Sequence, residues 1–280
     1  MRRETYNKEL VKLMSTKTFP TVGRRTQAAA AFAGLIALIA GLAFMSGPGN
    51  QAGAASGAAA AAGKAVYLGK ASAKRIPLCP QNCQSVVIVS GFQAKAGGVG
   101  NAYRVPFIGN ITRWRLKLGK PTAKDRQFFQ DRFGAVPQAA IGVLAKREQN
   151  GKIVYKLRRR SAIQNLNRFL GKTATFNLAA PIKVNKGDYV ALIVPTWAPA
   201  LAVPDACSIV RVNGKDQMKN PSVCRQFNAS NSWVASRDRT TCTQKVTMRN
   251  SQPQIDVNSL ASYGCRFNGA LTYGVRVESR

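Results

Sequence analysis

The stretch "NITRWRLKLGKP", residues 110–121, sets Arg113, Arg115 and Lys117 on one side of a two-residue period and Trp114, Leu116 and Leu118 on the other. Successive side chains of a strand point to opposite faces, so the three cations share one face. Such a row can hold a polyanion; the plainer alternative is a solvated outer face. A second row, Lys152, Lys156, Arg158 and Arg160, stands opposite Ile153, Tyr155 and Leu157 in "KIVYKLRRR". Cations in such rows recur about every 7 Å, and like charges side by side cost stability. Two such rows make a polyanion-binding face if their strands share a sheet.

Trp197 in "VPTWAPALAVP" and Trp233 in "NSWVAS" are the residues that could stack on a sugar ring. Ala198, Ala200 and Leu201 around Trp197 favour instead a ring that plugs the end of the fold, and Trp114 reads as core. Catalysis has little to work with. The chain contains no His, which removes the commonest general base near neutral pH and the commonest metal ligand. The acids are few and form no close pair, so a glycosidase would need carboxylates brought together from separate loops. Asp188 in "NKGDY" reads as a turn cap. The glycine-rich "AGGVGN" lacks the Lys-Ser/Thr of a phosphate loop and reads as a mobile loop. No catalytic residue, cofactor or metal ligand is assigned, and a non-enzymatic role is expected.

Charge points to partners. The 42 Lys and Arg against 11 Asp and Glu give a formal +31. Residues 1–63 hold seven of the cations and two of the anions, leaving 35 against nine, or +26, for the rest. Anionic polymers are the default partners of such a body. Nucleic acid is the weaker candidate, through non-specific charge alone, because its binders interleave exposed aromatics with cations and the aromatics here fall on apolar faces.

Residues 28–45, "AAAAFAGLIALIAGLAFM", are 18 residues without a charge, near the lower limit for a membrane-crossing helix. The basic leader, residues 1–27, keeps the N-terminus in the cytoplasm and sends the body across. A single-pass anchor is expected, with a cleaved signal peptide and secretion as the alternative. Residues 46–75, rich in Gly and Ala, read as a flexible linker. The six cysteines, Cys79, Cys83, Cys207, Cys224, Cys242 and Cys265, all follow the apolar segment, as disulfides of an exported domain would. Six cysteines allow 15 pairings; Cys207 with Cys224 and Cys242 with Cys265 would staple the C-terminal third. Zinc fits poorly, since "CPQNC" lacks CxxC spacing.

The elements that must position these residues are strands. From residue 76 to 280 the chain breaks into short alternating or apolar runs separated by Gly, Pro and Asn, as in an all-β, jelly-roll-like β-sandwich whose C-terminal part is disulfide-rich. "SVVIVSGFQ" reads as the first strand. "AAIGVLAKREQNGKIVYKLRRR" reads as a hairpin closed by a type I′ turn at Asn150-Gly151, with Ile141, Val143 and Ala145 opposing Ile153, Tyr155 and Leu157. A strand through Phe176 and Leu178 breaks at Pro181 and is followed by Ile182 and Val184, residues 185–188 turn, and "YVALIV" is apolar on both faces, as a covered central strand is. "ALTYGVRVES" supplies a closing strand, and "AKDRQFFQDRF" a short amphipathic turn lodged in a loop.

The series "VSGFQ", "ITRWRLKLGKP", "FFQDRFG", "FLGKTATFNL" and "KGDYVALIVPTWAPAL", spread over residues 86–201, resembles a group of uncharacterised exported proteins of actinobacteria. The resemblance implies an exported β-sandwich and carries over no catalytic residue. Beyond Pro204 the chain departs from it. The sequence therefore leads to the expectation of a membrane-anchored, non-catalytic envelope protein that binds anionic surface polymers or lipid head groups outside the cytoplasm. A sugar-binding module using Trp197 and Trp233 is the alternative, with an envelope-carbohydrate enzyme behind it.

Overall fold

Alternation of apolar and polar residues produces strands whose apolar sides must be buried against one another. The computed structural model describes residues 63–80, 83–213, 215–242 and 252–280, all within one compact unit, Ala58–Arg280. The leader, the apolar run 28–45 and most of the linker lie outside the described residues. Among the described residues no helix is long and apolar enough to cross a membrane.

The chain begins with β1 (Ala65–Leu68), α1 (Lys70–Ala73), β2 (Val86–Ala96), β3 (Val99–Gly100) and β4 (Gly109–Lys117). Helix α2 (Ala123–Phe133) leads to β5 (Gln138–Gln149), β6 (Lys152–Arg160), β7 (Gln164–Asn165), β8 (Thr173–Val184), β9 (Tyr189–Ala198) and β10 (Leu201–Ala202). Next come β11 (Ile209–Val212), β12 (Lys215–Met218), α3 (Pro221–Ser230) and β13 (Ser232–Ala235). Last are β14 (Leu260–Ala261), β15 (Cys265–Asn268), β16 (Ala270–Leu271) and β17 (Tyr273–Ser279).

The strands form two main sheets with antiparallel pairing. The smaller runs β1-β17-β4-β8, and the larger runs β14-β6-β5-β9-β2-β13-β15 with β3 and β7 attached at its margins. Between them lies one apolar layer, to which the smaller sheet contributes Ile111, Trp114, Leu116, Phe176, Val275 and Val277. The larger sheet meets it with Ile141, Val143, Val190, Leu192 and Val194. Trp114 is fully buried, its ring stacked on Phe176 at 4.3 Å. The alternation expected for residues 110–118 holds with one correction: the register shifts between Ile111 and Arg113, so Ile111 and Trp114 fall on the same face.

The larger sheet is also apolar on its other side. Phe92, Ala140, Leu144, Leu157, Ala191 and Ile193 form a second cluster with Tyr263. The C-terminal segment covers it: Gln254 donates through Nε2 to the carbonyls of Tyr155 and Ser259, accepts from the Tyr263 hydroxyl, and donates its backbone N–H to the Ser90 hydroxyl oxygen. Strand β9 is thus covered on both faces, as its sequence implies.

Several expectations are corrected. The linker does not reach residue 75: β1 pairs with β17 from Ala65, and Leu68 and Ala73 are buried, because "VYL" supplies strand-forming apolar residues that a spacer lacks. "SVVIVSGFQ" is consequently the second strand. "AGGVGN" is a tight hairpin rather than a loose loop, with β3 folding back on Lys95 and Ala96 through Gly97 and Gly98 at φ 57° and 87°. The break expected at Pro181 appears as the unpaired residues 178–181 within one strand, whose pairing resumes at Ile182 and runs to Val184. "AKDRQFFQDRF" is a full helix, opened by a Thr122–Asp125 capping box and anchored by Phe129 stacked on Trp197. The Asn150-Gly151 turn carries the two positive φ angles of a type I′ turn, 51° and 71°. The arm it closes runs past the core, so Ile153 is exposed.

All six cysteines pair: Cys79 with Cys83, Cys207 with Cys224, and Cys242 with Cys265. The second bridge ties α3 to the turn before β11 across 17 residues of chain. Closing a loop of that length stabilises by about 3 kcal/mol in the chain-entropy account. Trp114→Ala is expected to lower unfolding free energy in urea by about 3–5 kcal/mol. Arg113→Gln, one residue away on the outer face, should change it by no more than about 0.5 kcal/mol.

Candidate anion-binding surfaces

Because the larger sheet is covered on both faces, the outer face of the smaller sheet is where a flat charged surface can lie. The register places Arg113 between Arg276 of β17 and Asn177 of β8, Arg115 between Gly274 and Thr175, and Lys117 opposite Thr173, with its backbone N–H donated to the Thr272 carbonyl on the other side. Thr173, Thr175 and Asn177 are exposed and form a polar row beside the cations. The four strands of this sheet carry five Lys and Arg and a single carboxylate, Glu278. Glu278 is already engaged, accepting from Arg276 Nε at 2.8 Å. Gly274 has no side chain, which lets the Arg115 guanidinium reach across β17 and rest over the Tyr67 ring, 5.0 Å from its centroid.

The second expected row does not join this one. Strand β6 belongs to the larger sheet and β4 to the smaller, so the two rows do not adjoin on one sheet face. The row itself is also divided, because the β5–β6 register shifts between Val143 and Leu144 and leaves Arg158 out of the pairing. Arg160 donates through Nε to the Ile255 carbonyl, pinning the C-terminal cover. Arg158 turns to Asp188, with Nε 3.7 Å from a carboxylate oxygen. Lys156 is half-buried opposite Leu260, and Lys152 sits exposed beside the hairpin turn.

Arg158 lines an open cleft of about 530 Å³ that sequence reasoning does not single out. Strand β5 pairs with β9 only from Ala140 to Leu144, because β9 begins at Tyr189 after the turn at residues 185–188. Beyond Leu144 the arm of the hairpin therefore stands free on that side. On the opposite edge of β9, Tyr103 and Val105 bond to Val190 and Asp188, which brings Arg104 beside Tyr189. The space between receives Arg104, Lys146, Arg147, Arg158 and Lys186. Asp188 lies beneath it, buried, and caps the turn as expected, its Oδ2 accepting from the Asn185 N–H at 2.9 Å. Arg104, Lys146, Arg147 and Lys186 come from three separated segments and follow no shared period. The only local signals are the basic pair that follows the apolar half of β5 and the Lys186-Gly187 turn.

Neither candidate tryptophan offers a surface for a sugar. Trp197 is fully buried, with Phe129 stacked on it at 5.2 Å and its indole N–H donated to the Gly134 carbonyl at 2.9 Å. Trp233 is 7% exposed, held between Phe267 at 5.0 Å and Gly91, whose missing side chain makes room for the ring. Both rings are part of the buried core. Nor do the buried tyrosines offset the charge: burial holds the Tyr103, Tyr263 and Tyr273 phenols well above their ordinary range, so they stay neutral.

No protein-family model, characterised protein or solved structure matches the chain.

Asp188 carries the local architecture of the cleft. Asp188→Ala removes both the turn cap and the partner of half-buried Arg158, and is expected to lower unfolding free energy by about 1–3 kcal/mol. Denaturant titration of the variant checks this.

Proposed function

We propose that the protein is a non-catalytic, exported envelope protein whose basic, jelly-roll-like β-sandwich binds anionic surface polymers. The observation that carries this reading is the outer face of the smaller sheet, where Arg113, Arg115 and Lys117 lie in a row beside exposed Thr and Asn side chains and the sheet's one carboxylate is occupied by Arg276. An extended chain with repeating negative charges can follow such a row, its charges meeting cations spaced about 7 Å apart. Its hydroxyl or amide groups can meet the neighbouring polar row. Affinity then comes from the release of counterions and falls with salt.

Three disulfides support a compartment outside the cytoplasm. The apolar run 28–45 with its basic leader supports a single-pass anchor, with release after cleavage as the alternative. The likeness to exported actinobacterial proteins points the same way. The absence of His from the whole chain supports a binding role over a catalytic one.

The test is binding of a poly(glycerol phosphate) chain across a salt series. Replacing Arg113, Arg115 and Lys117 with Gln should weaken binding at low salt and make the plot of log affinity against log salt shallower by about 2, the share of three cation contacts. A control variant with Lys124, Arg126 and Arg132 replaced by Gln loses the same charge from helix α2, outside the smaller sheet. Equal slopes for the two variants would show the row to be only a solvated face.

A further inference from the structure

The cleft beside β9 asks for a different kind of ligand. We infer that Arg104, Arg147 and Lys186, with Lys146 at the rim, form a discrete site for a compact, multiply charged phosphate, separate from the polymer-binding sheet face.

The cations reach the cleft from three sides. Arg104 comes from the segment bonded to one edge of β9, Lys146 and Arg147 from the free hairpin arm, and Lys186 from the turn between them. Among the described residues none of these four side chains meets a carboxylate; the ion pairs there are Arg158 with Asp188, Lys219 with Asp205, and Arg276 with Glu278. Four unpaired cations around one concavity repel one another, and a surface under no other demand would intersperse acids among them. The one acid in the lining, Asp188, is buried, with its oxygens engaged by Arg158 and the Asn185 N–H. With Asp188 offset by Arg158, the four remaining cations of the lining leave the cleft with a net positive charge.

The geometry favours phosphate over carboxylate. A carboxylate presents one planar edge and satisfies a single guanidinium fork, whereas a phosphate presents oxygens in several directions and can be met from all three sides. The Arg104 guanidinium lies beside Gly187, its Nη2 3.5 Å from where a Cβ on that glycine would stand. Gly187 itself, at φ 91°, sits in the left-handed region that the turn into β9 requires. Among the described residues no strand pairs β5 beyond Leu144 on the cleft side, so its backbone edge adds N–H donors of the kind that unpaired edges present. At about 530 Å³ the cleft has room for more than one phosphoryl group, which points to an oligophosphate or a phosphorylated sugar.

The experiment is calorimetric titration of the full-length protein with tripolyphosphate at moderate salt. One equivalent should bind. The variant with Arg104, Arg147 and Lys186 replaced by Gln should bind roughly tenfold or more weakly, having lost three charge-assisted contacts. The variant with Arg113, Arg115 and Lys117 replaced by Gln has lost the same charge and should stay within about twofold, the scale of a screened long-range effect. Equal weakening in both variants, unchanged binding in the cleft variant, or several equivalents bound per chain would overturn the assignment. Should the triple cleft variant fold poorly, Arg147→Gln alone carries the test, with a loss of about threefold expected for one exposed contact; undiminished affinity there overturns it equally. Because poly(glycerol phosphate) reads the sheet face and tripolyphosphate the cleft, either site can fail without the other.

Discussion

Ionised side chains cannot be buried without large desolvation penalties, and this fold has little open sheet surface on which to put them. The larger sheet is apolar on both sides, facing the smaller sheet with one and the C-terminal cover with the other. That double burial depends on the Gln254 network, which fastens the cover across Ser90, Tyr155 and Tyr263. The cations of the body are displaced to the outer face of the smaller sheet, to the loops, and to the free ends of strands that outrun the core. Both candidate surfaces follow from this. One is the only broad sheet face left to solvent among the described residues, and the other forms where β5 extends beyond the strand it pairs with.

Concentrating charge in this way has a thermodynamic consequence. A body with 35 cations and nine acids is destabilised by its own field, and an anion bound only by the folded form relieves that repulsion while adding its binding free energy. The aromatic packing of Trp114 on Phe176, the core-filling Trp197 and Trp233, and the three disulfides oppose the repulsion from within. The tryptophans thus serve the fold.

Much of the local structure was legible in the sequence. The period of two across residues 113–118 identified the wet and dry faces of β4, and Asn150-Gly151 announced its turn because few other residue pairs adopt two positive φ angles cheaply. Asp188 was recognisable as a turn cap from its place after Asn185, Lys186 and Gly187. What could not be read was partnership between distant strands. Nothing local in "RWRLK" or "KIVYKLRRR" says that β4 and β6 enter different sheets, since that choice is made by long-range packing of their apolar sides. A single extra residue at Arg158 then undid the common face of its row. The cleft was illegible for the same reason: its cations are brought together by the end of one strand pairing and the start of another.

The central claim is that anions are taken up by particular arrangements of cations and not by net charge at large. Hydrogen–deuterium exchange of the full-length protein, with and without tripolyphosphate, tests it most directly. The account predicts slowed exchange concentrated in residues 101–105, 145–149 and 185–189, the three segments that meet at the cleft, with little change along β4 and β8. Protection spread evenly over the basic surface, or absent from those three segments, would contradict it.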